Sequence, residues 1–402
     1  MKVRVDTRTA SFVLDMSANG LGVVRTLGRK GIPIVGVDSK KDAPGLKSRY
    51  CRPLVTPHPA EHPQAALRLL LMEGAKRSEK SVLYPTSDEW VLFVSRFRRE
   101  LEREFLYAIP SEDVVESIID KRKQYKLAQQ IGTPYPKTCY PENVTDVERI
   151  KDELVYPVFV KPYYSHIWAE KFGNKGFKVS SPSDLVAKYE AIFDAGLEAM
   201  VQAIILGPDS NVVEVYAYLS DKYEPLAWLV SRKLRQHPNN FGVSTNSESI
   251  HDQEALEIAM NFFRLIEYRG IGHIELKKDE RDGKYKMIEL NARSGPCNVE
   301  TVLAGVDFPL IQFMDLTGRT VGEQKDYKDG VKWLNALPHC LSLYESTHDL
   351  KLSMMKSLEA VRKADCHAYF ASDDMWPFIK QYQNQVVRLG EYFNKRHVSL
   401  AQ

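Results

Sequence analysis

The chain has 402 residues, 44% of them hydrophobic and 27% charged, with a formal net charge of +2. That length exceeds what one core ordinarily serves, so two or three domains are expected, and the composition is that of a globular rather than a disordered chain. The near balance of 55 basic and 53 acidic residues excludes the basic footprint of a nucleic-acid binder. No run reaches the ~18 apolar residues that a membrane span requires, and the charged start Met1-Lys-Val-Arg-Val-Asp6 does not read as a cleaved signal. Cys51, Cys139, Cys297, Cys340 and Cys366 are scattered, with no CxxC pair and no zinc spacing, so reduced thiols in a cytoplasmic protein are expected. Of these only Cys297 falls near the chemistry described below.

The first ~110 residues alternate strand and helix, which implies a parallel sheet with right-handed crossovers. Ser11–Asp15 reads as a strand, Ser17-Ala-Asn-Gly-Leu-Gly22 as a turn, and Val23–Lys30 as a helix. Strand Ile34–Asp38, helix Pro63–Gly74, strand Val82–Pro85 and the loop Thr86-Ser-Asp-Glu89 follow. A charged helix then runs from Glu112 to Gln130 and stops at Gly132 and Pro134. Strand Val158–Val160 ends in Lys161-Pro162, and a basic, aromatic segment covers 163–178. After a helix at Ser183–Ala195 and apolar Met200–Leu206, the stretches Val212–Leu219 and Leu226–Arg232 read as long antiparallel strands. Helix Asp252–Tyr268 leads into a hairpin at 271–291, and the tail from Thr320 is mixed helix without a motif.

That hairpin is the most informative stretch. Asp282-Gly283 is a strong turn signal between two alternating segments. A period of two sets Glu275 opposite or diagonal to Glu289, with Asn291 and Arg293 beside Glu289 and His273 beside Glu275. Ile274, Leu276, Ile288 and Leu290 then face a core. Carboxylates about 4.5–5.5 Å apart across strands repel, so two of them with an amide oxygen call for a hard cation, Mg²⁺ or Mn²⁺, which usually arrives with substrate phosphates. Lys121 and Lys161 are suitable point charges for those phosphates, as are Arg232, Lys233 and Arg235 after a strand. The segment from Ser17 to Gly22, with Asp38 ending the next strand, gives a partial dinucleotide layout without a complete GxGxxG.

Taken in order, Asp120-Lys121, Pro157-Val-Phe-Val-Lys161-Pro162, Val201–Asp209 and Ile288-Glu-Leu-Asn-Ala-Arg293 resemble the ATP-grasp superfamily over roughly residues 10 to 320. Arg232-Lys-Leu-Arg-Gln-His-Pro238, Phe241–Thr245 and Ala304–Pro309 resemble its carboxylate–amine ligases of the carbamoyl-phosphate-synthetase-like and D-aspartate-ligase-like type. The resemblance implies an α/β ATP-grasp fold: an N-terminal Rossmann-like domain with a parallel sheet (1–112), a central lid (113–202), a C-terminal antiparallel-sheet ATP-binding part (203–320) and a helical extension (321–402). It implies ATP and Mg²⁺ (or Mn²⁺), with Lys121 and Lys161 on the phosphates. Gln202, Ala203, Ile204 and Ile205 would lie beside adenine, and Asp209 would stand at the ribose. Glu275, Glu289 and Asn291 match metal ligands, and Arg293 an arginine that steadies an acyl phosphate, with Lys161 and Arg232 assisting catalysis. The usual Gly-rich phosphate lid is replaced by 163–176, where Ser165, His166, Lys171 and Lys175 are candidate γ-phosphate donors.

The activity expected is ATP-dependent joining of a small-molecule carboxylate to an amine through an acyl phosphate, in a cytoplasmic protein compatible with a homodimer. Asn19, Asp88, Glu89 and His273 are candidate substrate contacts, since open α/β sheets bind ligands beyond the carboxyl ends of their strands. Carboxylate–thiol ligation or kinase chemistry on the same fold, an NAD-dependent oxidoreductase using Gly20, Gly22 and Asp38, and a non-catalytic ATP-binding regulator are the alternatives.

Overall fold

The computed structural model describes residues 8–163, 168, 171–172, 176–322 and 326–386. Among them the chain builds three sheets. β1 (Ser11–Leu14), β2 (Ile34–Asp38), β3 (Arg52–Val55), β4 (Ser81–Pro85) and β5 (Phe105–Leu106) form a parallel sheet in the order 3-2-1-4-5. The order reverses between β1 and β4, so the loops that leave those two strands open side by side. Asn19 Nδ2 donates to the Thr86 carbonyl at 3.1 Å and ties them together.

The glycines of the first loop are spent on packing. The helix begins at Ala18, earlier than expected, so Gly20 and Gly22 lie inside helix Ala18–Gly28. A Cβ on Gly20 would sit 1.9 Å from the Asp15 carbonyl, and one on Gly22 would sit 2.9 Å from Asn298 Cβ. Close approach of helix to strand and to helix Asn298–Ala304 therefore accounts for both, with no phosphate required. The long charged helix also differs from expectation. Asp120 leaves helical geometry and caps a second helix, Lys121–Gln130, by accepting from the Arg122 and Lys123 amides, which puts Lys121 at a helix start.

β6 (Thr138–Cys139), β7 (Val158–Pro162), β8 (Phe177–Val179) and β9 (Ala199–Ala203) form the small lid sheet, in the order 6-9-7-8. The third sheet runs 14-13-10-11-12-15-16, from β10 (Val212–Leu219), β11 (Pro225–His237), β12 (Val243–Ile250), β13 (Gly270–Lys278), β14 (Tyr285–Asn291), β15 (Lys332–Leu334) and β16 (Cys366–His367). β10 shows how its faces are sorted. Val213, Val215, Ala217 and Leu219 enter one core beneath helix Gln253–Leu265, while Tyr216 and Tyr218 enter another with Phe308 and Trp333.

The tail is not a separate helical extension. β15 pairs with β12, and β16 with β15, so residues beyond 320 complete the third sheet. Helices Ala336–Thr347 and Leu350–Lys363 lie between those two strands. The tail is also stapled to the N-terminal domain: buried Arg25 donates to Asp374 at 3.0 Å and to the carbonyls of Tyr369 and Asp374, and Ser48 Oγ also donates to Asp374. Asp374→Ala is expected to strand the Arg25 guanidinium in the interior and cost about 3–5 kcal/mol, read as a lowered midpoint in urea unfolding.

Helix Asn298–Ala304 seats Glu300, fully buried, against the third sheet, where Ser231 Oγ donates to it at 2.6 Å and Ser247 Oγ donates as well. Burial pushes this carboxyl up to about 8 from its ordinary 4.5. The folded state thus holds the proton more tightly than the unfolded chain. The resulting stability is complete below about 4.5 and is lost as pH rises towards 8. Glu300→Gln keeps the hydrogen-bonding shape without the proton, so its melting temperature is expected to fall less than that of wild type over this range.

Candidate active site

A cleft of about 740 Å³ lies between the lid sheet, the third sheet and the switch point of the first. Its floor is the polar face of the hairpin. Glu275 on β13 pairs directly with Glu289 on β14, and Glu275 also pairs with Glu214 on β10. Three carboxylates on adjacent strands therefore face one side, as the hairpin register predicts for two of them. Glu214 was missed; its signal was a lone acid in Val212-Val-Glu-Val-Tyr216, an otherwise apolar strand.

Three ammonium groups meet these acids. Lys233 Nζ lies 2.7 Å from Glu275 Oε2 and 3.3 Å from Glu214 Oε1, almost wholly buried. Burial alone would release its proton, but Glu275 and Glu214 outweigh that and hold the ammonium. Lys121 Nζ stands 3.6 Å from Glu289 Oε2, and Lys161 Nζ lies 3.5 Å from the Tyr125 hydroxyl. Burial pushes the Glu289 carboxyl up, yet Lys121, Lys161 and Lys233 together bring it down to about 2. Glu275, buried and facing both other acids, rises to about 7 despite Lys233.

Asn291 Nδ2 approaches Glu289 Oε1 at 3.4 Å, and Arg293 Nη2 donates to Asn291 Oδ1 at 3.1 Å. Arg293 Nε also donates to Asp88 Oδ1 at 2.8 Å, so this guanidinium bridges the third sheet and the start of helix Asp88–Arg96. His273 lies beneath, stacked on Tyr216 with centroids 4.8 Å apart, its Nδ1 3.2 Å from the Arg293 carbonyl. Burial lowers its imidazole to about 4, so it is a neutral support. Carboxylate and amide oxygens of Glu275, Glu289 and Asn291 suit a hard divalent cation, and the ligand atoms of Glu214, His273 and Glu275 also lie within 4.8 Å of one another.

At the other end the cleft is lined by Phe159, Lys161, Lys178 and the run Gln202–Gly207. Gln202 is oriented by donating to Thr138 Oγ1 at 2.9 Å. Ala203, Ile204 and Ile205 continue that wall.

Several expectations fail for stated reasons. Arg232 does not line the cleft: side chains alternate along β11, so Lys233 faces the acids while Arg232 pairs with Glu248 on the far side. Arg235 likewise reaches Ser342 and Ser346. Asp209 is taken by Gln236, whose backbone N–H and Nε2 both donate to it, and Gln236 lines the cleft in its place. Glu89 turns to His58, 3.5 Å away, and Asp88 is occupied by Arg293. Ile288 is not in the core: the register slips after Glu275, Leu276 pairs with Met287, and Met287 is buried while Ile288 joins the cleft wall. Cys297 is fully buried against Ser247, and burial raises its thiol well above the ordinary value, which removes it as a nucleophile. Asn19 does line the cleft. Ser165, His166 and Lys175 lie outside the described residues.

No family model matches the sequence. A D-aspartate ligase from Enterococcus faecium (strain Aus0004) is 26% identical over 254 residues, 61% of this chain and 60% of that protein. The chain thus matches about three fifths of that relative's length. An N5-carboxyaminoimidazole synthetase from Staphylococcus aureus, also solved complexed with ADP, superposes with a TM-score of 0.64 at 12% identity, over 85% of this chain and 86% of its own. A biotin carboxylase from Campylobacter jejuni, solved as a β-γ-ATP complex, superposes with a TM-score of 0.61 at 18% identity, over 80% and 74%. Identities this low establish shared architecture alone. That architecture, three sheets with the acid-lined cleft between them, is the ATP-grasp fold.

Proposed function

We propose that the chain is an ATP-dependent carboxylate–amine ligase working through an acyl phosphate. The observation that carries this reading is the direct pairing of Glu275 with Glu289, flanked by Lys121, Lys161, Asn291 and Arg293. The similarity to a D-aspartate ligase supports the same reaction class, and fold neighbours solved with ADP support the nucleotide.

Adenine would enter against Gln202–Ile205, where backbone groups and apolar side chains meet the base. Lys121 and Lys161 would take the phosphates. Glu289 and Asn291, with the free oxygen of Glu275, would hold Mg²⁺, which supplies charge neutralisation on the phosphoryl oxygens when bound. The acid's carboxylate oxygen attacks the γ-phosphorus, and the bond to the β-phosphate oxygen breaks to release ADP. The amine nitrogen then attacks the acyl carbon, phosphate leaves, and the nitrogen gives up its proton. Arg293, fixed by Asp88 and Asn291, faces the charge that develops on the acyl phosphate, so the protein contributes positioning and electrostatics. No covalent enzyme intermediate is required.

The dinucleotide alternative loses its support because Gly20 and Gly22 are explained by helix packing and Asp38 accepts the Met16 N–H at 2.7 Å. Glu289→Gln preserves shape while removing the charge; it is expected to slow ADP release on the order of a hundredfold or more with an unchanged circular-dichroism spectrum. Near-normal turnover would sink the assignment, as would failure of hydroxylamine to trap an acyl hydroxamate with any acid that drives ADP release.

A further inference from the structure

Between the base wall at Gln202–Ile205 and the carboxylates Glu275 and Glu289, the cleft floor is crossed by β13. His273, Glu275 and Lys277 stand on one face of that strand, each roughly 6.8 Å from the next, and all three line the cleft. Just beyond Lys277, the Glu280 N–H donates to the Leu206 carbonyl at 3.3 Å. Lys277 therefore lies between the carboxylates and the Gln202–Gly207 wall, where a nucleotide bound as proposed carries its sugar.

Lys277 is only 7% exposed, yet its side chain has no hydrogen bond or ion pair among the described residues. Its ammonium is not sealed in: it opens on the cleft. Its cross-strand neighbours, Val212 and Lys286, offer no side-chain acceptor. Of the carboxylates whose charge reaches it, Asp209 is held by Gln236, and Asp279 by Arg281 and Lys286. Burial thus lowers the pKa of the ammonium. Through Asp209 the lysine neighbours Gln236, which is 4% exposed and also lines the cleft. Gln236 Nε2 donates to Asp209 Oδ1 at 2.8 Å. A carboxylate only accepts, so this bond fixes the amide, and Gln236 Oε1 meets no donor among the described residues. One unpartnered donor and one unpartnered acceptor, both on side chains more than nine-tenths buried, therefore face the same part of the cleft.

We infer that Lys277 and Gln236 form a subsite for the vicinal diol of the nucleotide's ribose, Lys277 donating to one hydroxyl oxygen and Gln236 Oε1 accepting from the other hydroxyl. The inference rests on the nucleotide part of the ligase reading. It gives to these two residues the sugar contact that the sequence resemblance implies for Asp209, whose oxygens Gln236 already occupies. A hydroxyl both donates and accepts, so a diol suits a donor set beside an acceptor. A further phosphate on the sugar would face Gln236 Oε1 and the Asp209 charge, which leaves free hydroxyls as the occupant.

The test measures binding of ATP·Mg²⁺, 2′-deoxyATP·Mg²⁺ and 3′-deoxyATP·Mg²⁺ to the full chain by calorimetry, in wild type, Lys277→Met and Gln236→Leu. Wild type is expected to bind ATP about tenfold tighter than either deoxy analogue. Lys277→Met is expected to lose about tenfold for ATP but nothing for the analogue that lacks its hydroxyl, and Gln236→Leu the same for the other analogue. Each variant thus keeps only one of the two discriminations, a ratio read within one protein and so independent of how much of it folds. Equal affinity of wild type for all three nucleotides overturns the subsite. So does a Lys277→Met chain that weakens all three by one factor, the mark of a general charge. Absence of ATP·Mg²⁺ binding in the wild-type chain would instead overturn the ligase reading, so the two failures are distinct.

Discussion

Carboxylates on neighbouring strands repel, and in a partly dry cleft they can remain ionised only if cations stand among them. Glu214, Glu275 and Glu289 meet that constraint with Lys233, Lys121 and Lys161, one ammonium below the floor and two at its rim. The three acids are thereby made unequal. Burial would raise Glu289, but Lys121, Lys161 and Lys233 bring it down to about 2, whereas burial, joined by the charges of Glu289 and Glu214, carries Glu275 up to about 7 despite Lys233. A divalent cation arriving with phosphates would meet an ionised Glu289 at the open side and a Glu275 already steadied from beneath. Without Lys233, Glu214 and Glu275 would share a buried site with no compensating charge.

The rest of the fold delivers groups to that floor. The lid sheet brings Lys161 at the end of β7, and Asp120 sets Lys121 at a helix start. The switch point of the parallel sheet brings Asp88 to Arg293. Residues beyond 320 close the remaining side by adding β15 and β16 to the third sheet and by anchoring Asp374 on Arg25. The cleft is thus made by all three sheets.

How far the sequence disclosed this depends on how local each signal was. The hairpin was readable because an Asp-Gly turn and a strict period of two fix which side chains share a face, and Glu275 does stand opposite Glu289. The same rule failed at Ile288, since a bulge shifts parity and no residue there announces it. Arg232 and Lys233 could not be told apart without knowing which face of β11 the acids occupy, information that resides in its pairing with β10. Asp209 looked available until Gln236, 27 positions on, took both its oxygens. β15 and β16, of three and two residues, are too short to carry a period and exist because β12 offers an edge. β12 carries no apolar period: its Ser244, Ser247 and Ser249 are polar in sequence but buried in the fold, two of them beside Glu300 and the Lys328 carbonyl.

The most direct measurement is an anomalous-scattering map from crystals grown with Mn²⁺ and a non-hydrolysable ATP analogue. The account predicts a peak about 2.1 Å from carboxylate oxygens of Glu289 and Glu275 and from Asn291, with phosphate oxygens completing its shell and Lys121 and Lys161 close by. Nucleotide bound in the cleft with manganese absent from these side chains, or held elsewhere, would contradict it.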